Sequence, residues 1–207
     1  MFKRFAAALS LAFAAPVAAQ DAPAPPRTDL VVLETALGNI TLAIESDRAP
    51  VTAANFLRYV DEHRFDGTVF YRAMRLAWGD QPNGLIQGGT QNDPDRVLPP
   101  IAHEPTGETG LSHVAGAISM ARYAPGSATG DFSIMVSDQL ALDADPKGET
   151  DDARAGFAVF GHVVSGMEIV RRIFDAPTDP EKGEGWMKGQ MLAQPVAIMH
   201  ARRLAPN

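Results

Sequence analysis

Apolar positions along this chain recur mostly with the two-residue period of β-strands. Branched residues at 30–35 and 40–44 flank the tetrapeptide ALGN, which predicts a β-hairpin with its turn over 36–39. Short apolar runs bounded by turn residues predict six further strands, at residues 69–72, 85–89, 116–121, 132–136, 157–164 and 195–199. The pattern therefore indicates a mainly β protein.

Two segments have the spacing of amphipathic helices instead. The first begins near Pro50, which is tolerated in a first turn because the missing N–H has no helical partner there. Its predicted buried face consists of Val51, Ala54, Phe56, Leu57 and Val60. The second covers residues 166–174, with Met167, Val170 and Ile173 on one face. This order of elements predicts an antiparallel barrel capped by two α-helices.

The N-terminus has the features of a secretory signal peptide. Lys3 and Arg4 provide a positive region, an apolar stretch follows over 5–15, and small residues precede a cleavage site after Ala19. The apolar stretch is shorter than the ~20 residues that cross a bilayer, so cleavage is favoured over a membrane anchor. We expect residues 1–19 to be removed and the mature protein to be periplasmic, free of the membrane.

After cleavage the chain is expected to contain one domain. Residues 20–29 are rich in proline and alanine and predict a flexible leader, followed by a single monomeric domain over 30–205. A net charge of −7, without clustered lysines or arginines, argues against binding to nucleic acid. The absence of cysteine excludes disulfides and thiolate nucleophiles.

Common catalytic motifs are missing from the sequence. It contains no GxxxxGK[ST], GxSxG or HExxH pattern, and its five histidines are scattered. The acidic segment 143–155 lacks the DxDxDG order of a calcium loop and is expected to be solvated. No metal site or cofactor is predicted. The alternative that the chain is an unrelated hydrolase is therefore disfavoured, because the sequence shows neither the nucleophile nor the metal site that such an enzyme needs.

Several segments, taken in order, resemble the cyclophilins along nearly the whole mature chain. They are TALGNITLAIESDRAPVTAANFLRYV, FDGTVFYRAM, LIQGGT, GAISMAR, SATGDFSIMV, LALD and FAVFGHVVSGMEIV. The resemblance implies a closed eight-stranded antiparallel barrel. It also implies peptidyl-prolyl cis-trans isomerase activity on proline-containing polypeptides, here unfolded exported proteins.

The resemblance also assigns the catalytic residues. Arg72 would donate a hydrogen bond to the prolyl nitrogen, and a guanidinium suits this task because it is always charged and has several rigid donors. Gln87 would bind the substrate carbonyl and orient Arg72. The alternatives are a surface ion pair for Arg72 and a polar strand-end residue for Gln87.

The same resemblance implies a proline pocket. Its predicted residues are Leu85, Met120, Ala121, Arg122, Phe132, Ser133, Leu142 and Phe157. Phe157 stands where relatives have histidine or tyrosine, so an aromatic wall is kept. Arg122 stands where the best-known eukaryotic members have asparagine, and its backbone is the part expected to pair with the substrate.

Several positions depart from the family pattern. Ser133 replaces the phenylalanine that floors the pocket, and Asp131 replaces a glutamine, either to hold Arg72 more strongly or to change substrate preference. The loop over 73–84 is longer than usual, and its Trp78 would either supply a missing ring or anchor a solvent-facing loop. Ala141 replaces an aromatic residue, which implies low sensitivity to cyclosporin.

Two functions remain open at this point. Arg72 and Gln87 favour an isomerase. Ser133, Asp131 and Ala141 keep open a cyclophilin-fold binding module or chaperone that recognises proline-bearing segments with little turnover. The polar segment 178–190 includes Trp186, to which the sequence assigns no role.

Overall fold

Eight strands close into a barrel in the computed structural model, which describes residues 26–205. The strands are β1 (Asp29–Thr35), β2 (Gly38–Ile44), β3 (Thr68–Arg75), β4 (Gly84–Gly89), β5 (Ala117–Met120), β6 (Phe132–Met135), β7 (Val159–Ser165) and β8 (Met191–Arg203). Their order around the barrel is β1-β2-β7-β5-β6-β4-β3-β8, and neighbouring strands are antiparallel. The closed eight-stranded barrel is thus confirmed. The predicted signal peptide and residues 20–25 of the leader lie outside the described residues.

Four α-helices accompany the barrel: α1 (Pro50–Asp61), α2 (Thr106–Thr109), α3 (Asp151–Ala155) and α4 (Met167–Asp175). The two predicted helices correspond to α1 and α4, which pack against β7 and β8 and against β2, β3 and β4, respectively. Helices α2 and α3 span about one turn each and were not predicted. Within residues 26–205, no helix combines the length and the apolar character needed to span a membrane.

A cluster of aromatic rings fills the barrel interior beneath α1. Phe132 lies edge-on to Phe56, Phe65 and Phe70, with ring centroids 5.4–5.8 Å apart. The Phe160 ring lies 5.0 Å from that of Phe56. All five side chains are fully buried. Edge-to-face contacts of this kind add to the free energy gained from burying apolar area, so this cluster is the centre of the core.

The buried face of α1 includes the predicted Phe56, Leu57 and Val60 but differs from the prediction at its first turn. Val51 and Ala54 are exposed, whereas Thr52 and Tyr59 are buried with Phe56. The Tyr59 hydroxyl accepts the Leu98 N–H at 2.7 Å, and the Glu104 carboxylate accepts the Val51 and Thr52 N–H groups at 3.0 and 2.6 Å. Polar partners from distant loops thus satisfy the buried Thr52 and Tyr59, which apolar spacing alone does not predict to be buried.

Candidate active site

A row of polar side chains crosses four neighbouring strands on one face of the barrel wall. Arg72 of β3 pairs with Gln87 of β4, which pairs with Ser133 of β6, which pairs with Ser119 of β5. Residues directly opposite one another on antiparallel strands project from the same face of a sheet. The register therefore brings three of the predicted site residues together from positions far apart in the sequence.

Arg72 is nearly buried, with 4% of its surface exposed, and its guanidinium has three hydrogen bonds to two side chains. Nη1 donates to Gln87 Oε1 at 2.6 Å. Nε and Nη2 both donate to Gln190 Oε1, at 2.9 and 2.7 Å. The guanidinium carbon also lies 4.4 Å from the centre of the Trp186 ring, which is a cation–π distance. The two glutamines and the indole together hold the guanidinium in place.

Burial changes the ionisation of the groups around this guanidinium. It lowers the pKa of Arg72 to about 10, which still leaves the guanidinium charged at neutral pH. Burial raises the pKa of the adjacent Tyr71 hydroxyl, which therefore stays neutral. The site thus holds a permanent, partly desolvated positive charge, and such a charge acts more strongly on a ligand than one in water.

The two glycines that follow Gln87 are required by close packing. A Cβ at Gly88 would lie 2.7 Å from the Phe70 ring. One at Gly89, where φ is +128°, would lie 2.3 Å from the Gly130 carbonyl oxygen. These contacts allow β4 to approach β3 and the segment before β6. The QGG motif therefore has a structural reason as well as a place in the site.

An apolar cluster adjoins the polar row on the same face. Its buried members are Leu85, Ala117, Met135 and Val159. Leu142, from the 3₁₀ turn Leu140–Leu142, packs against it and is partly buried. Leu85 is two residues from Gln87, so both project from one face of β4. The structure thus places the predicted pocket residue Leu85 on the same face as Gln87, and Leu142 packs against the cluster to which Leu85 belongs.

Two other predicted pocket residues lie on the opposite face of the barrel wall. Phe132 is fully buried among the interior aromatic rings, and Met120, paired with it in the sheet, is 2% exposed and belongs to the same core. Successive residues of a strand alternate between faces, so Phe132 points inward where Ser133 points outward. Phe132 and Met120 therefore lie with the interior core and not on the face that carries Arg72, Gln87 and Ser133.

Arg122 and Phe157 form a unit of their own at the end of β5. The Arg122 guanidinium lies 4.6 Å from the centre of the Phe157 ring and donates to the Gly156 carbonyl through Nε and Nη2. It also pairs with Asp152 of α3 at 2.8 Å. The Arg122 side chain is 1% exposed, so its N–H groups are used for hydrogen bonds within the protein. Ala121, just before it, is partly buried.

Asp131 supports a turn and makes no bond to Arg72. Its carboxylate Oδ1 accepts the Gln91 N–H at 2.8 Å, directly after β4. Gln91 and Asn92 have φ values of +52° and +57°, a conformation that costs free energy for residues other than glycine. Burial raises the pKa of Asp131 to about 6. The expectation that Asp131 strengthens the hold on Arg72 is therefore not met.

The loop between β3 and β4 presents Trp78 to solvent. The Asn83 and Gln81 side-chain amides donate to the Trp78 carbonyl, and the Leu76 N–H donates to the Asn83 carbonyl at 2.9 Å, so the loop closes on itself. Trp78 is 68% exposed, and within residues 26–205 its ring stacks on no aromatic ring or guanidinium. Of the two alternatives for Trp78, the structure agrees with the solvent-facing loop.

A buried histidine connects the turn that carries Leu142 to the polar row. His113 is fully buried; its Nε2 lies 2.9 Å from Ser119 Oγ and its Nδ1 lies 2.5 Å from Asp143 Oδ1. Burial lowers the pKa of His113, although Asp143 opposes this effect. Asp143 directly follows Leu142, so this chain of contacts anchors one side of the site to β5.

Sequence reasoning missed Gln190 altogether and assigned no role to Trp186. Gln190 lies 118 positions from Arg72, directly before β8, and Trp186 lies in the 3₁₀ turn Gly185–Met187. The isolated tryptophan in a polar segment was the available signal, but its partner could not be named from the sequence.

Two cavities of about 360 and 410 Å³ lie beside α1, and no predicted site residue lines them. Among the described residues, no three histidine, aspartate or glutamate side chains converge as metal ligands.

Comparisons with known proteins identify the family of this chain. The family model described as cyclophilin type peptidyl-prolyl cis-trans isomerase/CLD matches residues 30–202. A peptidyl-prolyl cis-trans isomerase of Acinetobacter baylyi is 38% identical over 72% of this chain and 73% of its own. Peptidyl-prolyl cis-trans isomerase A of Dickeya dadantii is 37% identical over the same shares. The cyp18 isomerase of Streptomyces antibioticus is 34% identical over 84% of this chain and 98% of its own.

Solved structures show the same fold. A cyclophilin type peptidyl-prolyl cis-trans isomerase of Cryptosporidium parvum superposes with a TM-score of 0.66 at 18% identity, over 87% of this chain and 100% of its own. The same protein, in the presence of the dipeptide Ala-Pro, gives a TM-score of 0.66 at 17% identity, over 86% of this chain and 99% of its own. With the family model matching nearly all of the described barrel, the chain belongs to the cyclophilin-type peptidyl-prolyl cis-trans isomerases.

Proposed function

We propose that this isomerase accelerates X-Pro rotation through a hydrogen bond from Arg72 to the prolyl nitrogen. The barrier to rotation is ~18–20 kcal/mol because the twisted transition state loses amide resonance. In that state the nitrogen lone pair becomes basic and can accept a hydrogen bond that the planar amide cannot. A donor aimed at it stabilises the transition state more than the ground state, which is the requirement for catalysis.

The hydrogen bonds of Arg72 support this assignment more than any other observation. A guanidinium has five N–H donors, and three of them bond to Gln87 and Gln190. Two donors, one on each terminal nitrogen, remain for a substrate. Among residues 26–205, no carboxylate pairs with this buried charge, an arrangement that costs stability and is typical of functional sites. Arg72 is therefore not the surface ion pair that was its alternative.

The surroundings of Arg72 suit an extended polypeptide with a proline next to the guanidinium. Leu85 and Leu142 offer apolar contact on one side, while Gln87 is available to a substrate carbonyl through its amide N–H groups. Ser133 occupies the position of the usual aromatic floor and offers less apolar surface, so the affinity for proline is lower than in relatives with phenylalanine there. The reaction needs no cofactor.

The natural substrates are, in our proposal, unfolded proteins exported to the periplasm. The predicted signal peptide over 1–19 supports this location. Spontaneous X-Pro isomerisation takes roughly 10–100 s at room temperature, which is slow enough to limit folding. A monomeric catalyst in that compartment would shorten this step for many different chains.

The Arg72→Ala variant tests the proposal. We expect the mature protein to accelerate cis-trans exchange of a short Ala-Pro peptide, and the variant to lose about 100-fold in kcat/KM, the usual effect of removing a transition-state donor. NMR exchange spectroscopy measures the rate without a coupling enzyme. Arg75→Ala is the matched control, because Arg75 is also on β3 and over an aromatic ring, Phe174, but bonds only to backbone carbonyls.

Two results would contradict the proposal in different ways. Full activity in a folded Arg72→Ala protein would assign catalysis to another group. Peptide binding without acceleration by the intact protein would replace the isomerase with the binding module or chaperone that Ser133 left open.

A further inference from the structure

The segment between α4 and β8 is held in one conformation by its own backbone. The Gly189 N–H donates to the Lys182 carbonyl at 2.8 Å, and the Gln190 N–H donates to the Met187 carbonyl at 3.0 Å. Gly183, with φ at +91°, lies so close to Met187 that a Cβ there would be 2.5 Å from the Met187 carbonyl oxygen. We call residues 178–190 the clamp segment, since its two ends are tied by a bridge between Thr178 and Leu192.

The clamp segment places two side chains on Arg72 from different directions. Gln190 Oε1 receives two of the three hydrogen bonds that the guanidinium makes, and the Trp186 ring covers one face of it at 4.4 Å. Gln190 Nε2 donates to the Trp186 carbonyl at 2.8 Å. That bond determines which end of the Gln190 amide faces the arginine. The Gln190 carbonyl also accepts the Ala73 N–H at 3.0 Å, which joins the segment to β3.

These contacts have a consequence for catalysis. An arginine side chain has four rotatable bonds, and a donor displaced by about 1 Å from the prolyl nitrogen loses much of its effect on rate. Gln87 accepts a hydrogen bond from Nη1 alone, and this one bond does not prevent the guanidinium from rotating about the Nη1–Gln87 direction. Gln190 Oε1, which accepts from Nε and Nη2, and the Trp186 ring, which covers one face of the guanidinium, prevent this rotation.

We propose that Gln190 and Trp186 are positioning residues that hold the Arg72 guanidinium in the orientation required for catalysis. This inference rests on the proposed role of Arg72. Trp186 is 70% exposed, as an indole is when one face packs on a neighbour and the other meets solvent. Neither residue needs to touch the substrate for this role.

Three variants of the mature protein separate positioning from simple structural support. Gln190→Leu removes the acceptor at similar size, and we expect kcat/KM to fall about 10-fold, as for a lost hydrogen bond to a charged group. Trp186→Leu removes the ring and is expected to lower kcat/KM about 3-fold, whereas Trp186→Phe keeps an aromatic ring and should retain most of the wild-type kcat/KM. Trp78→Leu is the matched control, because Trp78 is similarly exposed.

The decisive measurements are an affinity and an NMR signal in addition to the rate. The Kd of an Ala-Pro peptide should change by less than about 2-fold in these variants, because the loss is confined to the transition state. The Arg72 Nε–H resonance should lose its ring-current shift in Trp186→Leu and regain it in Trp186→Phe. Thermal unfolding shows whether each variant is folded.

Wild-type rates with an unchanged Arg72 Nε–H resonance in folded Gln190→Leu and Trp186→Leu proteins would overturn the inference. A parallel loss of peptide affinity and thermal stability would also overturn it, since that is the pattern of a structural role. If the intact protein is inactive, the proposed function fails instead, and the resonance still reports whether the clamp segment orients Arg72.

Discussion

The two faces of the same barrel wall differ sharply in composition. Toward the interior, strands β3, β4, β5 and β6 present Phe70, Ile86, Ile118 and Phe132, all fully buried. Toward the outside, the same strands present Arg72, Gln87, Ser119 and Ser133. On β4, β5 and β6, one residue separates a side chain that stabilises the fold from one that serves the site, whereas on β3 a bulge between Phe70 and Arg72 turns these two residues to opposite faces. Substitution on the outer face can therefore change function with little cost to stability.

Phe132 and Ser133 show this difference at neighbouring positions. Phe132 keeps the aromatic side chain of the family motif and lies among three other phenylalanine rings. Ser133, which replaces the second aromatic residue, pairs with Gln87 and Ser119 in the polar row. Loss of the Phe132 ring would leave a large void in the core, whereas a small side chain at position 133 leaves the interior packing intact.

The largest effect is expected from truncating the interior member of this pair. Phe132→Ala should lower the free energy of unfolding by about 3–5 kcal/mol, because it leaves a cavity at the centre of the aromatic cluster. Ser133→Ala, its matched control one residue away, should cost less than about 1 kcal/mol. Urea unfolding followed by circular dichroism measures both. Equal effects would show that the two faces share one packed core.

A smaller effect is expected at Asp131, two residues before Ser133. Burial raises the pKa of this carboxyl from 3.8 to about 6, so the folded state holds the proton more tightly than the unfolded state. The resulting stabilisation is complete below pH 4 and is lost as the pH rises through 6. Asp131→Asn should therefore be more stable than the wild type by about 2 kcal/mol at pH 7 and equal to it at pH 4.

Unfolding curves at several pH values test this prediction. The asparagine oxygen can still accept the Gln91 N–H, so the turn after β4 is preserved. Asp138→Asn is the matched control, because Asp138 also accepts a backbone N–H, from Ala115, but is exposed. A wild type that gains stability relative to Asp131→Asn between pH 4 and pH 7 would show that the carboxylate is stabilised in the folded state.

The smallest effect is expected from restoring the family residue on the outer face. Ser133→Phe adds apolar surface beside Leu85 and Leu142, so the Kd of an Ala-Pro peptide should fall about 10-fold, as for burial of part of a ring. NMR titration measures the Kd, with Ser133→Ala as the control. An unchanged Kd in a folded Ser133→Phe protein would show that the substrate proline does not rest on this position.

Local patterns in the sequence determined most of the fold. All eight strands and both long helices coincide with segments whose apolar spacing had the matching period, because burial of one face of each element requires that spacing. The motifs and their order also singled out Arg72, Gln87, Leu85 and Leu142; Arg72 and Gln87 pair in the sheet, and Leu142 packs against the cluster that contains Leu85. That Phe132 lies on the inner face and Ser133 on the outer face also follows from strand alternation, once it is known which face forms the barrel interior.

Only the tertiary structure decided which distant groups meet. The apolar pattern of α1 does not show that the Glu104 carboxylate binds its first turn, or that Val51 remains exposed. Likewise, nothing near residue 190 shows that its amide oxygen accepts two hydrogen bonds from Arg72, 118 positions earlier. Periodicity reports which face of an element is buried, whereas polar contacts depend on barrel closure and on loops that bring separate parts of the chain within hydrogen-bonding distance.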